Sequence, residues 1–549
     1  MSSQKTKRKH SPKYIFVVGG VMSGVGKGIA TSSIGLLLQS RGYSVTGVKI
    51  DPYVNVDAGT MNPVEHGETF VLKDGLECDQ DMGNYERFFN TDLTSVQYMT
   101  TGMVYQSVIN QERNLAYGGK CVSVVPDIPN EVIRRIKAAQ AVEDSEITVI
   151  EIGGTAGEYE NLLFLEAARM MKVEHPEDVL FFLVSYFPIP SKIGEMKTKP
   201  TQHASRLLNG SGIQADFIIG RSSKPIDDVR KKKLSSMCSV AEEHIISAPD
   251  VESIYHVPVN FENDQLSNKV LKKLNLRPKT TRFSEWKKMT EKIDNVQGEV
   301  RIGIVGKYFN TGDFVLSDAY ISVIEAVNHA SYFYKTKPVI DWIDSEEFER
   351  DEDHLIDLQI YDGLIIPGGF GSRGIEGKLK AIQFAREHRI PYLGLCYGMQ
   401  LAVVEFARNV AGLTKAHTTE VDKNTPYPVI DILPEQADNV AEGNLGGTMR
   451  LGEYQCDIQT KTMARKLFSK TKTQERHRHR YEFNNDYRDQ LVEAGLIISG
   501  INKQRGLVEM IEIPDHPFFL GTQFHPELQS RPLNPHPVFK GFIRTAMKR

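Results

Sequence analysis

Five runs in the first half of the chain, Tyr14–Val18, Val45–Ile50, Ile147–Ile152, Val179–Tyr186 and Phe217–Ile219, are almost continuously apolar. A strand with one face in water alternates apolar and polar residues. A run without that alternation must be covered on both faces, as a parallel strand is when crossover helices lie on either side of its sheet. Helical patterning between the runs supplies those layers, so residues 13–276 are predicted to form a doubly wound α/β domain. Arg277–Gly298 is polar and strongly charged with no strand period, and is read as a linker over residues 277–298. A fresh apolar start at Val300–Gly306 opens a second α/β domain, residues 299–549, with Val339–Ile343, Gly363–Ile366 and Tyr392–Leu395 as strands and Met399–Arg408 as a helix.

Composition narrows the class of function. Of 549 residues 40% are hydrophobic and 25% charged, with a formal net charge of -4, so no bulk basicity points to nucleic acid. No run reaches membrane length, and no apolar segment follows the basic opening residues 1–12, which are read as a disordered tail. The five cysteines, Cys78, Cys121, Cys238, Cys396 and Cys456, are scattered and odd in number, which argues against a disulfide framework or a zinc site and for a reducing cytoplasm.

Tyr14–Gly28 reads as a strand, a glycine-rich turn and the start of a helix running to about Gln39. Gly24, Gly26 and Gly28 let backbone N–H groups close on an anion at the helix N-terminus, and Lys27 would neutralise β- and γ-phosphates, which makes this a P-loop-type domain. Two departures from the usual phosphate loop matter: Gly28 replaces the hydroxyl residue after the lysine, and five residues rather than four separate Gly20 from Gly26. Magnesium must then find carboxylates elsewhere. Asp81 and Glu151 are the candidates, the second because it lies in an apolar strand where a charge needs a partner. Lysines at Lys49, at Lys197 and Lys199, and in Arg230–Lys233 suggest a second polyanionic ligand besides ATP.

The second domain carries a different chemistry. In Pro391–Gln400 a short apolar run ends at Cys396, flanked by Gly394 and Gly398, and a helical pattern follows. That is the layout of a nucleophile elbow, whose helix N-terminus favours a thiolate. Downstream, His525 and Glu527 would point to the same side of an extended segment, giving a Cys–His–Glu triad. Ile366–Gly371 could supply oxyanion donors together with the Tyr397 N–H. The run Glu475–Glu482 could bind nucleic acid or face water; if extended, Arg476, Arg478 and Arg480 share one face, and one of them could clamp the carboxylate of an amino acid. His477 and His479 have no cysteine or acidic companion at metal-ligand spacing.

Gly-Lys-Gly at 26–28, Lys-Ile-Asp-Pro-Tyr at 49–53, Met-Asn-Pro-Val-Glu-His-Gly-Glu at 61–68, Glu-Ile-Gly-Gly-Thr at 151–155, Lys-Thr-Lys-Pro-Thr-Gln at 197–202 and Arg-His-Arg-His-Arg-Tyr-Glu at 476–482 together resemble the CTP synthase family, over all but the basic tail. The resemblance implies an amidoligase domain followed by a class I glutamine amidotransferase domain, assembled as a homotetramer and in some members as filaments. It implies that ATP phosphorylates the uracil O4 of UTP and that ammonia, supplied directly or from glutamine, displaces the phosphate to give CTP, which also inhibits. By the same resemblance Gly24, Val25, Gly26, Lys27, Gly28, Ile29 and Asp81 match ATP positions, and Asp81 and Glu151 match magnesium positions. Ser23, Glu158, Tyr159, Glu160, Lys197, Thr198, Lys199, Pro200, Thr201, Gln202 and Lys233 match UTP and CTP positions, and Lys49 a lysine near the transferred phosphate. Gly369, Tyr397, Gly398, Met399, Gln400, Glu420 and Arg480 match glutamine positions, and Cys396, His525 and Glu527 the triad.

Gly24 stands where many relatives carry serine and Glu158 where an aspartate is common, the second a change that would bear on CTP inhibition. His66 resembles a family residue at the mouth of an ammonia passage, and the family's activation by GTP would fall on Phe370–Glu376. Two other readings stay open on the residues: another P-loop amidoligase fused to a glutaminase, such as a cobyrinate diamide synthase, and a filament-forming regulatory homologue. The lysines of the first domain favour a triphosphate substrate over the former, and the intact motifs of both domains disfavour the latter.

Overall fold

The computed structural model describes residues 11–20, 22–62, 66–192, 194–306, 317–433, 436 and 447–549, so residues 1–10 of the basic tail and 63–65 of the 61–68 motif lie outside the described residues. The chain divides into two compact units, residues up to Asp57 with Asn84–Thr290, and Ala58–Gly83 with Glu291–Arg549. The segment 58–83, which lies inside the first domain by sequence, is thus gathered into the second unit. The stretch read as a linker contains a helix, Ser284–Asp294, whose Trp286, Met289 and Thr290 are buried.

In the first unit β1 (Lys13–Gly20) and β2 (Val45–Asp51) precede the excursion, which carries a hairpin of β3 (Phe70–Val71) and β4 (Glu77–Cys78). The chain then returns for β5 (Tyr98–Thr100), β6 (Ile147–Ile152), β7 (Val179–Tyr186), β8 (Phe217–Ser222) and β9 (Ile245–Pro249). The sheet runs β5-β2-β6-β1-β7-β8-β9 with every neighbouring pair parallel. Its two faces explain the unbroken apolar runs. Tyr14, Phe16 and Val18 join one core with Ile136, Phe164 and Leu208, while Ile15 and Val17 join another with Ile34, Leu37, Phe261 and Leu271. The expected strands are all present; β5 and β9, at three and five residues, are too short to stand out from periodicity.

The second unit adds β10 (Glu299–Gly306), β11 (Lys337–Asp344), β12 (Gly363–Ile366), β13 (Tyr392–Leu395), β14 (Ala416–Thr418), β15 (Tyr427–Ile432), β16 (Arg450–Ile458), β17 (Lys472–His479), β18 (Tyr481–Phe483), β19 (Ile497–Asn502), β20 (Leu507–Glu512) and β21 (Phe519–Thr522). Its main sheet runs β11-β10-β12-β13-β21-β20-β19-β16-β17. The strands from β11 to β21 pair parallel and those beyond β21 antiparallel. The sequence pattern marks β10, β11, β12 and β13, whose central residues are largely apolar, and misses the short parallel strand β21 and the antiparallel strands, of which β16, β17 and β20 carry charges. No helix among the described residues is long and apolar enough to cross a membrane.

Between β13 and the helix Tyr397–Asn409 the chain turns at Cys396, whose φ of 49° and ψ of -99° are outside the ordinary regions for a side-chain-bearing residue. Two close approaches hold the turn. A methyl group on Gly398 would run into the Ile366 carbonyl oxygen, and one on Gly394 would meet the Gly398 carbonyl carbon at 2.7 Å. Gly398→Ala should therefore destabilise the second unit by about 1–3 kcal/mol, the usual range for overpacking. The thermal midpoint of that unit measures it, and an unchanged midpoint would mean the turn can yield freely.

Candidate active sites

The phosphate loop, Lys49 and Glu151 of the first unit lie at or just beyond the C-terminal ends of parallel strands, where open α/β sheets bind ligands, while Lys233 lies within the helix Asp228–Cys238. Gly24 and Gly26 have φ of 69° and 87°, and Gly26 caps the helix Lys27–Ser40. Lys27 is buried and its Nζ donates to the Gly154 carbonyl oxygen at 2.7 Å. Gly19 makes room for it: a Cβ there would come within 2.9 Å of that Nζ. Ser23 and Gly24 are exposed on the loop, Val25 and Gly28 buried, and Ile29 half-buried.

Beside the loop lies a buried ionic group. Lys49 Nζ sits 2.9 Å from Glu151 Oε1 and 3.7 Å from Asp51 Oδ1, the Tyr85 hydroxyl donates to Glu151 Oε2, and the Tyr98 hydroxyl donates to Asp51 Oδ2 at 2.8 Å. Glu151 is thus a strand-end carboxylate balanced by one lysine. Asp81 opens the helix Asp81–Phe89 from the excursion, and its N–H donates to Asp79 Oδ1 at 2.8 Å. The two metal candidates therefore belong to different units.

After β6, Glu158 accepts from the Thr155 N–H at 2.8 Å, while Tyr159 and Glu160 are exposed. After β7, Thr198 and Thr201 are buried and bonded to Gln202 and Ser185, at 3.1 and 2.8 Å. Lys199 and Pro200 open the helix Lys199–Gly210. Lys197 pairs with Glu195 at 2.6 Å, and the charges of Lys197, Arg230 and Lys233 together hold the Glu195 carboxyl below its ordinary range. Arg230 lies 3.8 Å from the same carboxylate, so Lys197 and the start of the Arg230–Lys233 run meet at Glu195.

In the second unit a cavity of about 340 Å³ is lined by Cys396, His525, Glu527, Gly369, Glu420 and Arg480, with Gly59, Glu68 and Thr69 of the excursion on its wall. His525 Nδ1 lies 2.6 Å from Glu527 Oε1. The segment is not extended there, contrary to expectation: His525 caps a short 3₁₀ turn, Pro526–Gln529, which still brings the two side chains together. Burial opposes a charged imidazole, but the Glu527 carboxylate and the Cys396 sulfur outweigh it and raise the His525 pKa well above its usual value. Gly368 lies against both partners, since a Cβ there would stand 2.8 Å from His525 Cε1 and 3.8 Å from Cys396 Cβ. Its loop is pinned by the Gly371 N–H donating to Glu420 at 2.7 Å and the Tyr397 hydroxyl donating to the Gly371 carbonyl at 2.9 Å. Met399 and Gly398 are buried in the helix behind Cys396.

The basic run has covered faces. Arg476 donates to the Val71 carbonyl at 3.1 Å and Arg478 Nε to Glu77 Oε1 at 2.7 Å, both acceptors belonging to the excursion. On the other face Arg450 bonds Glu482 at 2.8 Å and Glu509 at 2.6 Å, next to His477 and His479. Burial raises both carboxyls and holds both imidazoles neutral. A neutral His479 whose Nδ1–H donates to the Tyr481 carbonyl at 3.1 Å must accept at Nε2, so the His477 Nδ1–H, 3.1 Å away, donates to it. The acidic companions that the histidines lack in sequence are therefore supplied by other strands. Arg480 donates to Gln436 and Thr448 at 2.9 and 2.8 Å, and burial lowers its pKa. Sequence reading missed the excursion residues on the cavity wall, for which no local signal exists. It also missed Gln523, which lies two positions before His525 in the same short motif and bonds Gln400 in the structure.

Both halves of the chain resemble known proteins. The model of the CTP synthase N-terminus matches residues 13–276, and that of glutamine amidotransferase class-I matches residues 315–545. The CTP synthase of Thermococcus gammatolerans is 49% identical over 98% of this chain and 99% of its own length, and that of Pyrococcus furiosus is 49% identical over 97% and 98%. Among solved structures, the glutaminase domain of Trypanosoma brucei CTPS, with bound acivicin, is 37% identical over 46% of this chain and 94% of that one, with a TM-score of 0.42. With family models matching both halves and relatives of this identity along nearly the whole chain, the protein belongs to the CTP synthase family.

Proposed function

We propose that the two units divide one reaction, the ATP-dependent amination of UTP to CTP with glutamine as nitrogen source, which is the reaction of the family to which the chain belongs. The observation that carries the nitrogen half is the Glu527–His525 pair beside a cysteine held on an elbow. The Cys396 sulfur attacks the side-chain carboxamide carbon of glutamine. The oxyanion is met by backbone N–H groups of the 368–370 loop and Tyr397, His525 gives its proton to the departing ammonia, and a thioester forms. Water then attacks, His525 takes its proton, and the sulfur leaves as glutamate is released. Arg480 clamps the substrate carboxylate and Glu420 its ammonium group, while Gly369, Gly398, Met399 and Gln400 shape the cavity.

In the first unit, the amides of residues 24–29 with Lys27 hold the ATP phosphates, and Lys197, Lys199 and Lys233, with Ser23, Glu158–Glu160 and residues 198–202, hold UTP. ATP phosphorylates the uracil O4, Lys49 stands at the transferring phosphoryl group, and ammonia displaces the phosphate. Glu151 suits Mg2+, since it and its neighbour Asp51 offer only hard oxygen donors at a strand end. Asp81 is the other acid that family resemblance supports. When bound, the cation neutralises charge on the phosphates. Resemblance also supports GTP activation through residues 370–376, inhibition by CTP, a homotetramer and filaments. The five free cysteines support the cytoplasm.

A paired assay separates the halves. Cys396→Ala should abolish glutamine-dependent CTP formation and retain the ammonia-dependent rate, whereas equal loss with both donors would refute two separate sites. In the same assay Glu151→Gln should lower both rates at least tenfold in folded protein. An unchanged rate would remove Glu151 from the metal site.

The pH profile tests the triad. The Glu527 carboxylate holds the imidazolium to higher pH, so Glu527→Gln lowers that pKa and moves the alkaline limb of glutamine-dependent kcat to lower pH. The rate itself should fall on the order of 10²–10⁴-fold, as when an orienting carboxylate is lost. An alkaline limb that stays in place would show that Glu527 does not set the charge of His525.

A further inference from the structure

The triad leaves one contact of the nucleophile unused. Gln523 Nε2 lies 3.6 Å from Cys396 Sγ, within hydrogen-bond reach of sulfur, and the Gln523 side chain is wholly buried. Which end of this amide meets the sulfur is decided by its neighbours. Gln523 Oε1 accepts from Gln400 Nε2 at 3.3 Å, and that same Nε2 donates to the Tyr481 carbonyl at 2.8 Å. Reversing the Gln523 amide would set two NH2 groups face to face and turn a carbonyl oxygen toward the sulfur. The main chain allows no escape, because the Gln523 N–H donates to the Glu509 carbonyl at 2.9 Å. Across the sulfur stands the Arg478 carbonyl oxygen, 3.8 Å away, which accepts from a thiol but repels a thiolate. Beside the imidazolium of His525, which also favours the anion, Gln523 brings a neutral side-chain N–H to Cys396 Sγ.

We propose that Gln523 is a catalytic residue of glutamine hydrolysis, donating from Nε2 to Cys396 Sγ whenever that sulfur carries negative charge, with Gln400 and the Tyr481 carbonyl fixing its orientation. The sulfur carries that charge twice: before it attacks the carboxamide carbon, and when water attacks the thioester and the carbon–sulfur bond breaks with its electron pair going to sulfur. Because the amide is neutral and buried it has no proton to exchange, so it acts by stabilisation alone. The role extends the glutaminase reading given above and rests on it.

Two variants test this. Gln523→Met keeps the volume and removes the N–H, while Gln523→Glu keeps an acceptor for Gln400 and replaces the donor. Both should lower glutamine-dependent kcat about 10- to 100-fold, with ammonia-dependent CTP formation and substrate KM close to those of the parent protein. A merely structural role would not change how fast Cys396 is alkylated. The rate of iodoacetamide labelling, followed at pH 7 by mass spectrometry of the Cys396 peptide, should fall at least fivefold in both variants. Labelling at the parent rate, with or without loss of kcat, overturns the proposal. If Gln523→Met fails to fold, as loss of its ammonia-dependent activity would reveal, Gln523→Glu decides alone. Absence of glutamine hydrolysis in the parent protein would instead defeat the glutaminase reading, an outcome distinct from parent activity with unaltered variants.

Discussion

The backbone of Cys396 stands in a conformation that costs of order 1–3 kcal/mol for a residue with a side chain, and the second unit is built around keeping it there. The Cys396 N–H donates to the Thr522 carbonyl at 2.6 Å, which ties the elbow to β21, the strand that runs on into Gln523 and His525. Gly398 lies against the Ile366 carbonyl, which ties it to β12 and so to the glycine loop. The nucleophile, its base and its oxyanion loop thus follow three neighbouring strands, β13, β21 and β12, that run parallel within a mixed sheet. The strain persists because these two separate attachments determine it.

The side of the cavity away from that edge is made differently. From Arg476 to His479 β17 offers arginines to one face and histidines to the other, and both faces are covered or partly covered there. Arg476 and Arg478 spend their donors on the Val71 carbonyl and on Glu77, and Arg450 with two glutamates encloses the histidines. Breaking any one of these pairs would strand a buried charge, which costs far more than the pair itself contributes. The reward is rigidity, since this strand and the next present the Arg478 carbonyl to the sulfur and the Tyr481 carbonyl to Gln400. In the first unit Lys49, Glu151 and Tyr85 follow the same rule, a buried charge kept only where it is fully paired.

How far the fold could be read depended on local chemistry. The apolar parallel strands announce themselves because both faces are covered by the same chain's helices, and Gly24, Gly26 and Lys27 because a phosphate loop demands them in series. His525 and Glu527 were legible as a pair although the reason first given, an extended segment, does not hold: a 3₁₀ turn joins them. β16, β17 and β20 were not legible, because their charged residues find partners on other strands rather than in water, and β19, Ile-Ile-Ser-Gly-Ile-Asn, was missed although it carries no charge. The division of the chain was read as continuous blocks, whereas residues 58–83 leave the first unit and supply Gly59, Glu68 and Thr69 to the glutamine cavity.

Taken alone, the sequence determined two α/β domains, a phosphate loop without its hydroxyl, a cysteine on an elbow and the His–Pro–Glu that follows it, since each is a short motif whose spacing states its geometry. Tertiary structure decided which side chains from distant segments share one buried space: Glu77 beside Arg478, Arg450 between Glu482 and Glu509, Gln523 aimed at the sulfur by Gln400. Those choices follow from burial, under which every donor and charge must find a partner wherever the fold brings one, and no spacing along the chain specifies where that is.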